Sequence, residues 1–308
     1  MQVYKDKIMA GIVLYNPEID LLENNIKAII NNVDCVYLYD NASKNYNEIE
    51  DLISKFNNVV YKRGSENEGI AKGLNQILNY ATDNGYEWYL TMDQDSICSD
   101  NLVDEYRKYM CDSSVGLVCT VLLNNGKLTM EEYENKNLPD FEYIQKPIDC
   151  ITSACMNNTK IVNDVGGYPE DYFIDYVDVD LNCRVLLAGY KIVRANRAYL
   201  IQHMGEGRRI RLFTKLYHLT KWDALRRMQV ASVYSDLRLY YSARNSRIVS
   251  KRYENAGFRV SPFFMFLLFC YFTITYPKER NRISMWKNIY RGYADSKRKL
   301  KTLAYNNC

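Results

Sequence analysis

Two carboxylates one residue apart close an apolar, aromatic run, Trp88-Tyr89-Leu90-Thr91-Met92-Asp93-Gln94-Asp95-Ser96. Such a run reads as a buried strand that delivers Asp93 and Asp95 to its carboxyl end, where open α/β sheets bind ligands. A turn just past the strand aims both acids at one hard cation carrying a diphosphate. The alternative is that Asp95 and Ser96 only cap a helix beginning near Asp100. A second acidic group, Asp171, Asp175, Asp178 and Asp180, lies among aromatic and aliphatic neighbours. Asp180 fits the first turn of a helix backed by Leu181, Val185 and Leu186. Asp175 and Asp178, three apart, suit a partly desolvated general base. His203 sits at a predicted strand end just before Met204-Gly205, as a metal ligand or as a structural histidine.

The elements that must position these groups follow from hydrophobic spacing. Residues 8–15 form an apolar run closed by Asn16-Pro17, and residues 19–30 carry Leu22, Ile26 and Ile29 at helical spacing. A strand over 35–39 ends in Asp40-Asn41-Ala42-Ser43, followed by a short helix over 49–56 and a strand over 59–62. This alternation predicts right-handed βαβ crossovers and a parallel sheet. Tyr15-Asn16 and Asp40-Asn41 then lie at the carboxyl ends of neighbouring strands, close to where Asp93 emerges.

Asn67-Glu68-Gly69-Ile70-Ala71-Lys72-Gly73-Leu74-Asn75 opens the next helix, whose Ile70, Leu74, Ile77, Leu78 and Ala81 face the core. Glycine early in a helix signals close backbone approach, to a strand or to a phosphate at the helix start. Packing accounts for Gly73, whereas Asn67 and Gly69 are expected to face a ligand. No Gly-x-x-x-x-Gly-Lys-Ser/Thr loop and no strand-borne Gly-x-Gly-x-x-Gly occurs, which argues against a nucleotide triphosphatase or a Rossmann dehydrogenase. Beyond these come a helix over 101–110, a strand over 115–123, a polar loop over 124–140, a sharp turn at Val165-Gly166-Gly167-Tyr168-Pro169 and a strand over 192–200.

The chain is long enough for one domain with an appendage. Its net charge is only +3, yet residues 203–308 hold 22 Lys and Arg against six Asp and Glu, a net of +16. The acidic remainder suits a cation site, and the basic part suits an anionic surface. Nine cysteines without a Cys-x-x-Cys pair read as reduced thiols of a cytosolic protein. The start of the chain shows no signal-peptide pattern, so catalysis is expected to face the cytoplasm.

In order along the chain, Ile12-Val13-x-Tyr15-Asn16-Pro17, Asp40-Asn41-Ala42-Ser43, Asn67-x-Gly69-Ile70-Ala71-x-Gly73-x-Asn75, Asp93-Gln94-Asp95-Ser96, Val165-Gly166-Gly167-Tyr168, Phe173-Ile174-Asp175-Tyr176-Val177-Asp178-Val179-Asp180 and His203-x-Gly205 resemble one family. This is the family-2 inverting glycosyltransferases with the GT-A fold, and the likeness is greatest to their bacterial rhamnosyltransferase branch. It covers about residues 8–207 and implies an α/β fold, a mostly parallel central sheet flanked by helices, with a basic helical C-terminal extension. It implies that Asp95 with His203 binds a divalent cation, Mn²⁺ or Mg²⁺, that Asp93 contacts ribose or metal, and that Asp40 reads the base. Tyr15, Asn16, Asn41, Asn67, Gly69, Asn75 and Gln94 fall with them on the donor side. Asp178 stands at the position of the base that deprotonates the acceptor, with Asp175 as the alternative. The chain departs from the common pattern at Val177, where many relatives have Glu.

The chemistry agrees with this resemblance. Transfer from a nucleotide sugar needs charge neutralised on the leaving diphosphate and a carboxylate to take the acceptor proton. A glycoside hydrolase would instead pair two carboxylates without metal. The expected donor is a nucleotide-diphospho-sugar, dTDP-rhamnose or a UDP-sugar. The expected acceptor is a lipid-linked species or polysaccharide of a cell-surface glycan. A catalytic domain is expected over 1–207, with nucleotide-sugar binding over about 1–123 and the acceptor and base region over about 124–207. A membrane-associating extension is expected over 208–308.

In that extension, residues 213–227 and 234–252 set aromatic residues beside basic ones, and residues 262–276 are almost wholly apolar. That run is too short for a span, since about 20 residues are needed. An interfacial or re-entrant helix and a helix buried on the catalytic domain both fit. No nucleic-acid-binding module is present, so the surface expected to attract the basic part is an anionic membrane, with the enzyme peripheral on the inner face. The competing function is a catalytically idle GT-A domain that binds sugar nucleotides or scaffolds a membrane complex.

Overall fold

Seven consecutive buried residues, Ile8–Leu14, form β1. Chain order continues through α1 (Ile19–Ile29), β2 (Cys35–Asp40), α2 (Tyr46–Ile53), β3 (Val59–Arg63), α3 (Ile70–Asp83) and β4 (Trp88–Asp93). β1 pairs in parallel with both β2 and β4, and β2 with β3. β1 and β2 are covered on both faces, which is why they read as continuous apolar runs rather than as alternation. The computed structural model describes residues 7–123, 128–202, 207–222, 225–226 and 228–305.

The strands that follow are β5 (Ser96–Cys98), β6 (Val115–Leu123), β7 (Phe141–Tyr143), β8 (Cys155–Asn158) and β9 (Lys191–Gln202). The helices among them are α4 (Leu102–Met110), α5 (Met130–Asn135), α6 (Thr159–Asp164) and α7 (Val177–Leu187). β8 runs antiparallel to β4 and β6, and β9 antiparallel to β5 and β7. Among the described residues the sheet order is β3-β2-β1-β4-β8-β6-β9-β5, with β7 on β9. One cluster of buried side chains from these strands and from α1, α2 and α4 forms a core that includes Ile12, Ile26, Leu38, Leu90 and Met156.

Residues 124–140 were expected as loop, but Met130–Asn135 is helical. Thr129 Oγ1 accepts from Glu132 N (3.2 Å), and Thr129 N donates back to Glu132 Oε2 (2.9 Å). This reciprocal cap holds a short helix in a stretch with no apolar periodicity, which is why its spacing gave no sign of it.

Backbone contacts divide the chain into two units. The first holds the described part of Met1–Leu122 with Asn137–Phe173 and Val177–Gln202; the second holds the described parts of Leu123–Lys136 and His203–Cys308 with Ile174–Tyr176. The second contains β10 (Gly207–Arg209), α8 (Arg211–Thr220), β11 (Val230–Ser232), α9 (Asp236–Arg252), α10 (Pro262–Thr275) and α11 (Arg282–Tyr305). β10 and β11 form an antiparallel pair. α9 and α11 cross closely at Gly292, where an added Cβ would lie 2.2 Å from Tyr240 O. Leu239, Ala243, Phe269, Phe272, Met285 and Ile289 fill this unit's own core.

α10 has two faces within the second unit. Met265, Phe269, Phe272 and Thr275 are buried, while Phe263, Phe264, Phe266, Leu267 and Ile274 are exposed. Among the described residues no helix is long and apolar enough to cross a membrane.

Candidate active site

Parallel register brings the acids to one sheet edge. Leu14 pairs with Asp40 and Val13 with Asp93, so the two carboxylates end adjacent strands on either side of β1. The ends of β1 and β4 are clasped further: Tyr15 N donates to Gln94 Oε1 (2.9 Å) and Gln94 Nε2 to Tyr15 O (3.3 Å). Tyr15 stays 48% exposed, leaving an aromatic face at the mouth of this edge. Asn16, at φ 46°, donates its N–H to Ser43 Oγ (2.8 Å) and accepts from Lys44 N (2.8 Å), which locks the loops after β1 and β2 together.

Asp40 is fully buried and engaged by the protein itself. Oδ1 accepts from Ser43 N (2.9 Å), and Oδ2 accepts from Tyr61 Oη (2.8 Å) and Arg63 Nε (3.1 Å). Arg63 also donates to Ser43 O (3.0 Å) and lies over the Tyr46 ring at 4.1 Å. Asp40 therefore fixes the shape of the 40–43 loop and holds a cation beside it.

Asn41 and Asn67 form the next layer. Asn41 Nδ2 donates to Asn67 Oδ1 (2.9 Å) and Gly69 O (3.1 Å), and Asn41 Oδ1 accepts from Glu68 N (3.0 Å). Asn67 Oδ1 also accepts from Gly69 N (3.0 Å). Gly69 starts α3 at φ 89°, and Ile70 N donates to Phe173 O (2.7 Å). A Cβ on Gly69 would stand 2.5 Å from Phe173 O, so the close approach there is to backbone of the acidic segment. Asn75 is a tie between α3 and the turn after α6: its amide exchanges bonds with Tyr168 N (2.8 Å) and Tyr168 O (3.0 Å) and reaches Glu170 Oε1 (2.9 Å).

The Asp-Gln-Asp turn is held from beneath. Asn25, fully buried on the inner face of α1, donates to Asp93 O (2.7 Å) and Ser96 O (2.5 Å). Asp93 N donates to Ser153 Oγ (2.9 Å), and Gln202 Nε2 approaches Asp93 Oδ2 at 3.3 Å. Ser96 pairs with Gln202 in the β5–β9 register, so β9 ends beside this turn. His203 lies outside the described residues. Asp93 and Asp95 are both half-buried. Among the described residues no three of His, Cys, Asp and Glu gather as a ready cage. Two hard carboxylates at one strand end nonetheless fit a cation that keeps waters and takes part of its shell from a diphosphate.

α7 carries the second acidic group. Asp180 is fully buried, accepting from Tyr172 Oη (3.1 Å) and Arg184 Nε (2.9 Å), while Arg184 reaches Val165 O and Gly167 O. Its role is to anchor the 165–172 segment. Asp178, in the first turn, is half-buried, and its Oδ1 accepts from Val179 N (2.8 Å). Asn182 on the same helix donates to Pro147 O (2.7 Å) and Cys150 O (2.7 Å). Thr91 Oγ1 donates to Thr152 O (2.7 Å), so the 147–153 segment links α7 to β4.

Asp175 belongs to the second unit. Arg238 on α9 contacts its Oδ1 at 3.1 Å (Nε) and 3.0 Å (Nη2), and Asn245 Nδ2 donates to Ile174 O (2.9 Å) and Asp175 O (3.1 Å). Its Oδ2 is buried with no hydrogen-bond partner, and burial holds its carboxyl above the ordinary value despite the opposing Arg238 charge. Phe173, Asp175 and Tyr176 all have left-handed backbone (φ 53°, 63° and 64°), a concentration of strain typical of functional segments.

Sequence reasoning singled out none of Asn25, Arg63, Ser153, Asn182 and Arg238. Asn25 had a legible signal: it is a polar residue in the buried stripe Leu22, Ile26, Ile29.

Residues 10–164 match the family model described as glycosyl transferase family 2. The dTDP-rhamnosyl transferase RfbF of Shigella flexneri is 26% identical over 194 residues, 59% of this chain and 64% of that protein. Among solved structures, GalNAc-T7 with UDP, GalNAc and Mn²⁺ superposes with a TM-score of 0.53 at 11% identity, covering 90% of this chain and 59% of that one. S. aureus TarS 1–349 in complex with UDP-GlcNAc gives a TM-score of 0.52 at 13% identity, covering 79% of this chain and 66% of that one. The chain thus spans under two thirds of each of these relatives, and the two structures share its fold.

Proposed function

Because this chain belongs to glycosyl transferase family 2, we propose that it is an inverting transferase that moves a sugar from a nucleotide diphosphate to a hydroxyl of a lipid-linked or polysaccharide acceptor. The observation that carries this reading is the single sheet edge where Tyr15, Asp40 and the Asp93–Asp95 turn meet at the ends of three adjacent parallel strands. The donor sugar we assign is rhamnose from dTDP-rhamnose, supported by the name of the Shigella relative.

Each residue then has a task. The exposed Tyr15 ring offers a stacking face for the nucleobase, and Asp40 orients the 40–43 loop and Arg63 beside it. Asn41, Asn67 and Gly69 shape the start of α3, where the N–H groups of Glu68, Gly69 and Ile70 are taken by Asn41, Asn67 and Phe173, so it is the helix dipole that favours the donor's negative charge. Asp95, Asp93 and His203 would hold a divalent cation, Mn²⁺ or Mg²⁺, which when bound neutralises charge on the leaving diphosphate. The acceptor oxygen attacks the anomeric carbon as the bond to the diphosphate breaks, and the nucleoside diphosphate leaves with the electron pair. Asp178 takes the hydroxyl proton. A single displacement without an enzyme nucleophile inverts the anomeric centre.

Catalysis is assigned to residues 1–207 and attachment to residues 208–308. The exposed aromatic face of α10 and the +16 excess support peripheral binding to an anionic membrane on the side where the donor is made. The test is nucleotide release from a panel of nucleotide sugars, with membrane extract as acceptor source. Release from dTDP-rhamnose above the others is the expected result; release from none of them sinks the reading in favour of an idle sugar-nucleotide-binding domain.

A further inference from the structure

α9, α10 and α11 line a half-open cleft of about 480 Å³ within the second unit. Its walls are apolar, set by Ala243, Met265, Phe269, Trp286 and Ile289, and Phe266 lines it while remaining more than half exposed. One side is cationic. Lys251 and Arg259 share Glu254 at 2.8 and 3.9 Å, which leaves a positive balance, and Arg247 contributes a third charge. The Arg247 guanidinium lies 4.2 Å over the Tyr293 ring, and its Nε is buried with no hydrogen-bond partner. Among the described residues it has no carboxylate.

A buried guanidinium N–H without an acceptor is a standing penalty that an anionic oxygen relieves. An apolar chamber beside it takes a hydrocarbon. The volume lies low in the range of small-molecule sites, about 300–1,000 Å³, and suits one chain rather than two. We infer that this cleft binds a single-chain lipid phosphate, the chain between α10 and α11 and the phosphate on Arg247. The site deepens the reading of a lipid-linked acceptor and rests on it for its purpose. Binding is separable from turnover, so a failure here would leave the transferase assignment standing, and the converse.

The test is calorimetric titration of the full-length protein with farnesyl monophosphate, lysophosphatidic acid, farnesol and inorganic phosphate, each amphiphile below its aggregation threshold. Both single-chain phosphates are expected to bind at least about tenfold more tightly than farnesol or phosphate, a charge-assisted bond being the difference. Preference for one of the two identifies whether the chain is isoprenoid or acyl. Arg247→Gln should bring the phosphates down to the level of farnesol, with Arg247→Lys intermediate. Ala243→Phe, which fills the chamber, should weaken farnesol and farnesyl phosphate alike. Arg247 is only part-buried, so its variant keeps the test decisive if Ala243→Phe fails to fold. Equal affinity for farnesyl phosphate and farnesol, an unchanged Arg247→Gln, or binding only to diacyl phosphatidic acid vesicles would overturn the inference.

Discussion

Gly69→Ala tests whether the start of α3 and the acidic segment are one mechanical unit. At φ 89° and ψ 170° Gly69 occupies a region essentially reserved for glycine, so any side chain there costs about 1–3 kcal/mol. The added Cβ would also meet Phe173 O at 2.5 Å and Phe173 Cα at 2.7 Å, both backbone atoms that cannot rotate away. Moving them apart stretches the 2.7 Å bond from Ile70 N to Phe173 O, a net contribution of about 1 kcal/mol. The expected total is about 2–4 kcal/mol, which for a unit of this size lowers Tm by about 5–15 °C. Gly85→Ala is the control: Gly85 also has positive φ (69°), but an added Cβ would meet nothing within 4 Å. Differential scanning calorimetry of the two variants separates backbone strain from collision. A Gly69→Ala shift no larger than that of Gly85→Ala would refute the reasoning.

Three further outcomes are expected. Asp175 has a raised folded-state carboxyl, so the native state holds its proton more tightly than the unfolded chain does. Its contribution therefore favours folding below the ordinary carboxylate value, about 4, and is lost as pH rises through the folded value. Asp175→Asn, which keeps an oxygen for Arg238, should raise Tm at pH 7 and lose that gain near pH 3; a lower Tm at pH 7 contradicts it. Chelator should abolish nucleotide release, and Asp95→Ala should remove the metal dependence of donor affinity by calorimetry, whereas full turnover in chelator would discard the cation. Replacing Phe263 and Phe264 by Ser, both exposed, should leave Tm near wild type and weaken sedimentation with anionic vesicles at high salt, when charge is screened. Undiminished sedimentation would exclude α10 as the inserting face.

The parallel half of the sheet was legible because β1, β2 and β4 are apolar runs, the strands are separated by helices with a clear stripe, and Asp40 and Asp93 mark two of the ends. The antiparallel half was not, since β7 has three residues, two of them exposed, and β8 is Cys-Met-Asn-Asn, whose polar atoms are satisfied only in the fold. Spacing cannot tell a carboxylate aimed outward from one aimed inward. Asp40 and Asp178 look alike in the sequence, yet Asp40 is fully buried among Ser43, Tyr61 and Arg63. α10 was ambiguous for a related reason: a helix apolar all round carries no record of which stripe its neighbours cover. Asp175 illustrates the limit most plainly. The sequence offers it as the alternative base, and nothing in the spacing shows that it contacts Arg238 and Asn245, more than sixty residues away in the chain.

The most direct test of the account is the rate of nucleotide release by Asp178→Asn, with the donor the panel identifies and membrane extract as acceptor source. Loss of a general base lowers the rate by about 10²- to 10⁴-fold, and donor affinity measured by calorimetry should stay near wild type. Near-wild-type turnover in Asp178→Asn, with Asp175→Asn inactive, would contradict the assignment and move the base to Asp175.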